Sequence, residues 1–141
     1  MLVALAWIDS RTFLLPDELT LPLAAAGVAW SWFSTGDIFV SLIGLTTGFC
    51  VLWMIGLLYR WFRGRHGIGL GDAKMLAAGG AWVGWASLPS VVLTATLSAL
   101  IAVAVAHVLT HRARRDLAIP FGPHLALGIW LVHLFGPIVL Q

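Results

Sequence analysis

This sequence is poor in charge and in cysteine, and both shortages restrict what the protein can be. Only 10% of its 141 residues are charged, whereas 60% are hydrophobic and the mean hydropathy is +0.97. Soluble domains carry about 25% charged residues, so this chain lacks the polar side chains needed to cover a water-facing surface. The single cysteine, Cys50, permits neither an internal disulfide nor a multi-cysteine zinc site. We therefore predict a membrane protein, and the small net charge of +2 gives no indication of nucleic-acid binding.

Long uncharged runs divide the chain into six predicted membrane helices in one all-α domain, residues 1–141. The clearest segment is Ile38–Tyr59. The run Met75–His111 is too long for one crossing, and we divide it near Trp85–Pro89. The first segment reaches Asp9 too soon to span a bilayer, so we expect it to be truncated. The other expected segments are Leu19–Gly36, Asp72–Trp85 and Leu117–Gln141, with a polar loop at Asp9–Glu18 and a basic loop at Arg60–His66.

Charge placement predicts which side of the membrane each loop faces. Alternate threading of six segments puts all eight lysine and arginine residues on one side, and the turns near Asp37 and Pro89 contain none. By the positive-inside rule that side is cytoplasmic. The same threading gathers Asp9, Asp17 and Asp72 at the cytoplasmic ends of the first, second and fourth segments.

The stretch Gly67–Lys74 has glycine at alternate positions and leads into Asp72 at the start of an apolar helix. Glycine permits positive φ and the close approach of a second chain, and aspartate is favoured as an N-cap. By itself, the stretch is equally compatible with a loop that ends in a capping aspartate and with a catalytic site. Because the fourth segment is short, we expect Asp72 near or below the lipid headgroups.

A pair of carboxylates with little water around it can catalyse hydrolysis. One carboxyl group keeps a proton while the other acts as a base, which allows activation of water and protonation of a departing amide. We expect Asp9, at a helix carboxyl end, to hold the shared proton, because a helix start and Lys74 favour ionised Asp72. The alternative is that the aspartates are interfacial loop charges paired with Arg11 and Lys74.

Three stretches closely resemble the bacterial type IV prepilin peptidases, which are polytopic aspartic proteases of the Gly-x-Gly-Asp class. These stretches are Ala6–Pro22, Gly69–Gly84 and Ile119–Gly128. The resemblance implies Asp9 and Asp72 as the catalytic pair, with Asp17 at a family position that is not normally counted as catalytic. It also implies a type IV prepilin or type II secretion pseudopilin as substrate, cut after its basic leader at the cytoplasmic face of the bacterial inner membrane.

Other residues receive supporting roles or none. Gly69 and Gly71 would let the substrate backbone approach the carboxylates, with Lys74 beside them. His124 could contact substrate, although packing is the favoured role. Two histidines are spaced as a metal-binding pair would be, but no third ligand is evident, so no metal and no cofactor are predicted. They are His107 and His111.

The sequence leaves two other functions and several properties open. One is another Gly-x-Gly-Asp intramembrane protease, of the presenilin or signal-peptide-peptidase kind. Against it, Ile8 rather than tyrosine precedes the first aspartate, and no Pro-Ala-Leu occurs near the carboxyl end. The other is a small transporter or assembly factor that uses the aspartates as a proton relay.

The paired cysteines of many prepilin peptidases are not present, so methyl transfer is not inferred. The expected partners are the substrate and the lipid bilayer, with the oligomeric state undetermined.

Overall fold

The computed structural model describes residues 2–12, 16–63, 69–110 and 121–136, and these residues form a bundle of α-helices without a β-strand. The predictions of an all-α fold and of six helical segments are confirmed. A short 3-10 turn, Trp85–Ser87, lies between the fourth and fifth helices. The helices are α1 (Leu2–Thr12), α2 (Asp17–Thr35), α3 (Ile38–Arg63), α4 (Leu70–Val83), α5 (Leu88–Thr110) and α6 (Gly122–Phe135).

Several helix boundaries differ from the prediction, and the ends of α1 and α3 differ most clearly. Asp9 lies in the last turn of α1 rather than in a polar loop, because α1 continues to Thr12. Likewise, α3 extends to Arg63, into the stretch predicted as a basic loop. Neither extension contains glycine or proline, so nothing in the chain interrupts helical hydrogen bonding there. Charge therefore marks where these helices reach polar surroundings, and not where they end.

The long uncharged run is broken where the sequence predicts. Gly84 follows α4 with φ 76°, a left-handed conformation that residues with a Cβ rarely adopt. Its amide still donates to the carbonyl of Gly80, at 2.9 Å. Pro89 lies in the first turn of α5, where its missing N–H leaves no helical hydrogen bond unmade. Gly84 thus ends α4 and lets α5 start in a new direction.

The two 14-residue helices, α4 and α6, form the centre of the bundle. α4 packs against α2, α3 and α6, and α6 packs also against α1 and α5. The α3–α4 contact is a backbone contact, because a Cβ on Gly80 would collide with the carbonyl of Gly44. Ser41 Oγ also donates to the carbonyl of Ala81 at 2.7 Å. Such close backbone contact at small residues is usual in membrane bundles.

Large apolar side chains cover the outside of this bundle. Among the described residues, two helical stretches are long and apolar enough to cross a bilayer, Ile38–Phe62 and Trp85–Val108, each with a mean hydropathy of 2.2. Most of their side chains face outward, including exposed Met54 and Ile101. Large apolar groups outside and small residues between helices suit a lipid environment better than water. The chain is a membrane protein.

Candidate active site at one end of the bundle

Asp9, Asp17 and Asp72 lie at the same end of the bundle. The last turn of α1 reaches this end, and α2 and α4 both begin there. An ion pair joins α2 to α4, with Nζ of Lys74 2.5 Å from Oδ1 of Asp17. Asp9 is close enough to Asp72 for its negative charge to raise the pKa of the Asp72 carboxyl. The structure therefore brings together the three aspartates that the threading gathers.

Asp9 is held by the first residue of α6. Its side chain is only 4% exposed, and its Oδ2 accepts a hydrogen bond from the backbone N–H of Gly122, with N and O 2.9 Å apart. A helix start carries partial positive charge, so this contact favours the ionised carboxylate. Asp9 lies outside the two spanning stretches. Burial raises its pKa above the usual 3.8, and the hydrogen bond from Gly122 acts in the opposite direction.

Asp72 is the third residue of α4, and it is not the residue that caps the helix. The N-cap is Gly69, whose carbonyl accepts a hydrogen bond from the Asp72 amide at 3.2 Å. The expectation of a capping aspartate is wrong because α4 begins earlier, at Leu70. Gly69 has φ −70° and ψ 141°, so it does not adopt the positive φ considered for this stretch. Gly67 lies outside the described residues.

The surroundings of Asp72 make its negative charge costly. Asp72 also lies outside the two spanning stretches. Burial and, secondly, the charge of Asp9 raise its pKa from 3.8 to about 6. The sequence predicts the opposite, an Asp72 that Lys74 and the helix start keep ionised. The main reason for the difference is burial of the Asp72 carboxyl, and the ammonium group of Lys74 pairs with Asp17.

The two glycines predicted to support the substrate have different positions. Gly69 is exposed, and a Cβ built on it would lie 3.9 Å from Oδ2 of Asp72. Gly69 therefore borders the carboxylate and leaves the space beside it open. Gly71 lies in the first turn of α4 and is half-buried. Of the two, Gly69 is the better placed to let another chain approach.

The predictions for the histidines are tested at His124 but not at the pair His107 and His111. The ring Nδ1 of His124 lies 2.9 Å from Oγ of Ser98 in α5, a contact that joins α6 to α5 and supports the packing role. His107 is exposed near the end of α5, and His111 lies outside the described residues, so their pairing stays a prediction. In the described ranges, no group of three His, Cys, Asp or Glu residues is arranged to hold a metal ion.

The sequence interpretation assigns no role to Gly122. A signal was available, because glycine followed by Pro123 before an apolar run indicates the start of a helix, where backbone N–H groups lack helical acceptors. The sequence does not indicate which acceptor these donors meet. The carboxylate of Asp9, 113 positions away, is brought to Gly122 only by the packing of α1 against α6.

The chain is similar to known proteins over most of its length. The Type IV leader peptidase family matches residues 1–105. The chain is 39% identical over 140 residues to a prepilin leader peptidase/N-methyltransferase of Aeromonas hydrophila, a match covering 96% of this chain and 47% of the relative. A protein of the same name from Burkholderia pseudomallei (strain K96243) is 44% identical over 138 residues, covering 96% and 44%. One from Dickeya chrysanthemi is 44% identical over 130 residues, covering 89% and 44%. The chain spans about half the length of these curated relatives, and no solved structure matches it significantly.

Proposed function

Because this chain belongs to the type IV leader peptidase family, we propose that it is an aspartic endopeptidase that removes the basic leader of prepilins or pseudopilins. The proposal treats residues 1–141 as one domain, with Asp9 and Asp72 as the catalytic pair. One observation carries it: two carboxyl groups from separate helices lie at one end of the bundle, close enough for the charge of one to raise the pKa of the other. The printed name of the relatives, prepilin leader peptidase, supports the choice of substrate.

The chemistry requires one ionised and one protonated carboxyl group. The ionised group takes a proton from water as the water oxygen bonds to the carbonyl carbon of the peptide. The protonated group then gives its proton to the nitrogen as the carbon–nitrogen bond breaks. A pKa of about 6 for Asp72 supports this division, because the pair then carries one shared proton in mildly acidic solution.

The surroundings of the pair suit an extended basic peptide. Gly69 is exposed beside Asp72 and has no side chain to obstruct a substrate backbone. Asp17 and Glu18 are exposed at the same end, in the first turn of α2. Their charges would attract the lysine or arginine of a leader and offset the repulsion from the basic residues nearby. We therefore assign substrate approach to the Gly69 side of the pair and attraction of the leader to α2.

We also propose a multi-pass arrangement in the bacterial inner membrane. The two spanning stretches, in α3 and α5, both run toward the end that holds the aspartates. The sequence confines lysine and arginine to that end, which by the positive-inside rule faces the cytoplasm. The carboxylate pair would then act where a prepilin leader emerges from the membrane on the cytoplasmic side.

A cleavage assay with isosteric variants tests the catalytic pair. The chain, embedded in membranes, is incubated with a prepilin that carries a basic leader, and the product is identified by mass spectrometry. Asp9→Asn and Asp72→Asn should each reduce cleavage at least about 100-fold, because each removes one proton-transfer group. The matched control is Asp37→Asn, an exposed aspartate at the opposite end of the bundle, which should retain activity. Full activity in either site variant would reject the pair.

The same preparation distinguishes the two alternative functions. A different Gly-x-Gly-Asp protease would cut within the membrane helix of the substrate, and the product mass would reveal this. A proton relay would produce aspartate-dependent proton flux in proteoliposomes without any proteolysis. Cleavage after the leader, with no proton flux, supports the proposed peptidase.

A further inference from the structure

Gly122 and Asp9 meet in a contact that only glycine permits. The N–H of Gly122, buried at the start of α6, donates to Oδ2 of Asp9 at 2.9 Å. A Cβ on Gly122 would lie 2.6 Å from Cγ and 3.0 Å from Cβ of Asp9, and it would collide with Oδ2. Other tightly packed glycines meet backbone or uncharged side chains, as Gly128 meets the carbonyl of Val91. Gly122 is the one described glycine whose absent side chain makes room for a carboxylate of the proposed pair.

Most of the other charged or titratable side chains at this end of the bundle have partners: Lys74 pairs with Asp17, His124 with Ser98, and Arg11 with the ring of Trp7. Glu18 is exposed in the first turn of α2, and its negative charge could not stabilise an ionised Asp9. The remaining group is Asp72, and its negative charge repels that of Asp9. Within the described residues, the amide of Gly122 is therefore the group in direct contact that stabilises ionised Asp9.

We propose that the backbone amide of Gly122 is a positioning group that keeps Asp9 ionised as the base, so that Asp72 holds the shared proton as the acid. The catalytic consequence of this contact rests on the proposed function. The electrostatic effect of Gly122 on Asp9 does not. The assignment reverses the expectation from sequence that Asp9 holds the proton. The physical reason is that a hydrogen bond from an N–H group stabilises the charged form of a carboxyl group more than the neutral form, and of the two aspartates Asp9 is the one that accepts such a bond from the start of α6.

The first test uses the unaltered chain. Glycine labelled with ¹⁵N gives an amide signal for Gly122 in detergent micelles, identified by its loss in Gly122→Ala. Carboxyl ¹³C signals of labelled aspartate report the two protonation steps of the pair. The main shift of the Gly122 signal should accompany the step at lower pH, because that step protonates Asp9. A main shift that accompanies the upper step would mean that Asp9 takes the shared proton, and the proposal would be wrong.

The second test isolates each carboxyl group in a variant that need not be active. In an Asp72→Asn background, Gly122→Ala should raise the pKa of Asp9 by about one unit or more, as expected for loss of a hydrogen bond to a charged group. In an Asp9→Asn background, the same change should leave the pKa of Asp72 unaltered. No shift in the first background, or an equal shift in the second, would overturn the proposal.

A matched control separates this effect from general damage to α6. Gly128→Ala lies in the same helix and introduces a Cβ 2.7 Å from a backbone carbonyl of α5. It should lower the unfolding temperature without shifting the pKa of Asp9. In the active chain, Gly122→Ala should move the acid limb of the kcat/KM profile to higher pH, and Gly128→Ala should not. The titrations stand even if no prepilin is cleaved, so a failure of the positioning role and a failure of the proposed function are distinguishable.

Discussion

The first turn of α4 and the remainder of the same helix differ in what surrounds them. From Met75 to Ala81 every residue is buried, whereas Gly69 and Leu70 are exposed and Asp72 is half-buried. The packed part holds the helix between its neighbours, and the first turn presents the carboxyl group. A site that admits a substrate can therefore be rigid, because its support lies one turn away.

Contacts with neighbouring helices hold the packed part of α4. With α3 these include two backbone contacts, where a Cβ on Gly44 or Gly48 would collide with the carbonyl groups of α4. With α2 the contact is a hydrogen bond, which Nε1 of Trp82 donates to the carbonyl of Leu23 at 2.9 Å. In contrast, the first turn is joined to α2 by the exposed ion pair of Lys74 and Asp17. The two parts should respond differently to substitution.

The largest expected effect on folding is in the packed part. Gly80→Ala introduces a Cβ that collides with the carbonyl oxygen of Gly44 and lies 2.6 Å from its carbon. Both groups belong to backbone, so α3 and α4 must separate, and we expect a loss of about 1–3 kcal/mol in the free energy of unfolding. Tryptophan fluorescence during thermal or denaturant unfolding in detergent measures this loss. An unchanged stability would show that α3 and α4 are not held by this contact.

The next effect is a change in how stability depends on pH. Because the pKa of Asp72 is raised from 3.8 to about 6, the folded chain binds more protons than the unfolded chain between those values. The contribution of Asp72 is therefore full below about pH 4 and is lost as pH rises through about 6. The unfolding temperature of Asp72→Asn should fall less over this range than that of the unaltered chain.

A control supports this pH comparison. Asp37→Asn removes an exposed carboxylate at the other end of the bundle and should retain the pH dependence of the unaltered chain. If Asp72→Asn and the unaltered chain give parallel curves between pH 4 and pH 7, Asp72 does not have the raised pKa.

A smaller effect is expected at Gly69, where folding and activity should separate. A Cβ there meets only ordinary contacts, at 3.9 Å from Oδ2 of Asp72 and from the amide nitrogen of Gly71. Because φ is −70°, alanine fits here without strain, and the gain from a less flexible unfolded chain opposes the cost of alanine as an N-cap, so Gly69→Ala should change stability by less than about 1 kcal/mol. Cleavage should fall about tenfold if the substrate backbone passes here, since small displacements at a reacting centre are costly. Full activity would place the substrate elsewhere.

The smallest effect is expected at the ion pair. The side chains of Lys74 and Asp17 are 39% and 54% exposed, so solvent screens their attraction. A double-mutant cycle of Lys74→Gln and Asp17→Asn should give a coupling below about 1 kcal/mol, decreasing as salt is added. A larger, salt-independent coupling would mean that the first turn of α4 is held as firmly as the packed part.

Much of this architecture is predictable from local sequence. Uncharged runs identify the helices, and the excessive length of the run Met75–His111 leads to the break near Trp85–Pro89, between α4 and α5. Both signals depend on neighbouring residues and on the solubility of side chains, which do not require a known fold. Alternating helices then bring Asp9, Asp17 and Asp72 to one end, since an even number of crossings returns a chain to the same side.

The relation between the two carboxyl groups depends on the tertiary structure. Sequence indicates Asp9 and Asp72 as a pair, but it does not reveal that Lys74 pairs with Asp17 or that the amide of Gly122 donates to Asp9. Desolvation and hydrogen bonding depend on which groups are brought together across the bundle, and not on residue type. Sequence alone therefore determines the helices, their alternation and the candidate residues. Tertiary packing decides which carboxylate is stabilised, because the donor and the acceptor are 113 positions apart and meet only when α6 packs against α1.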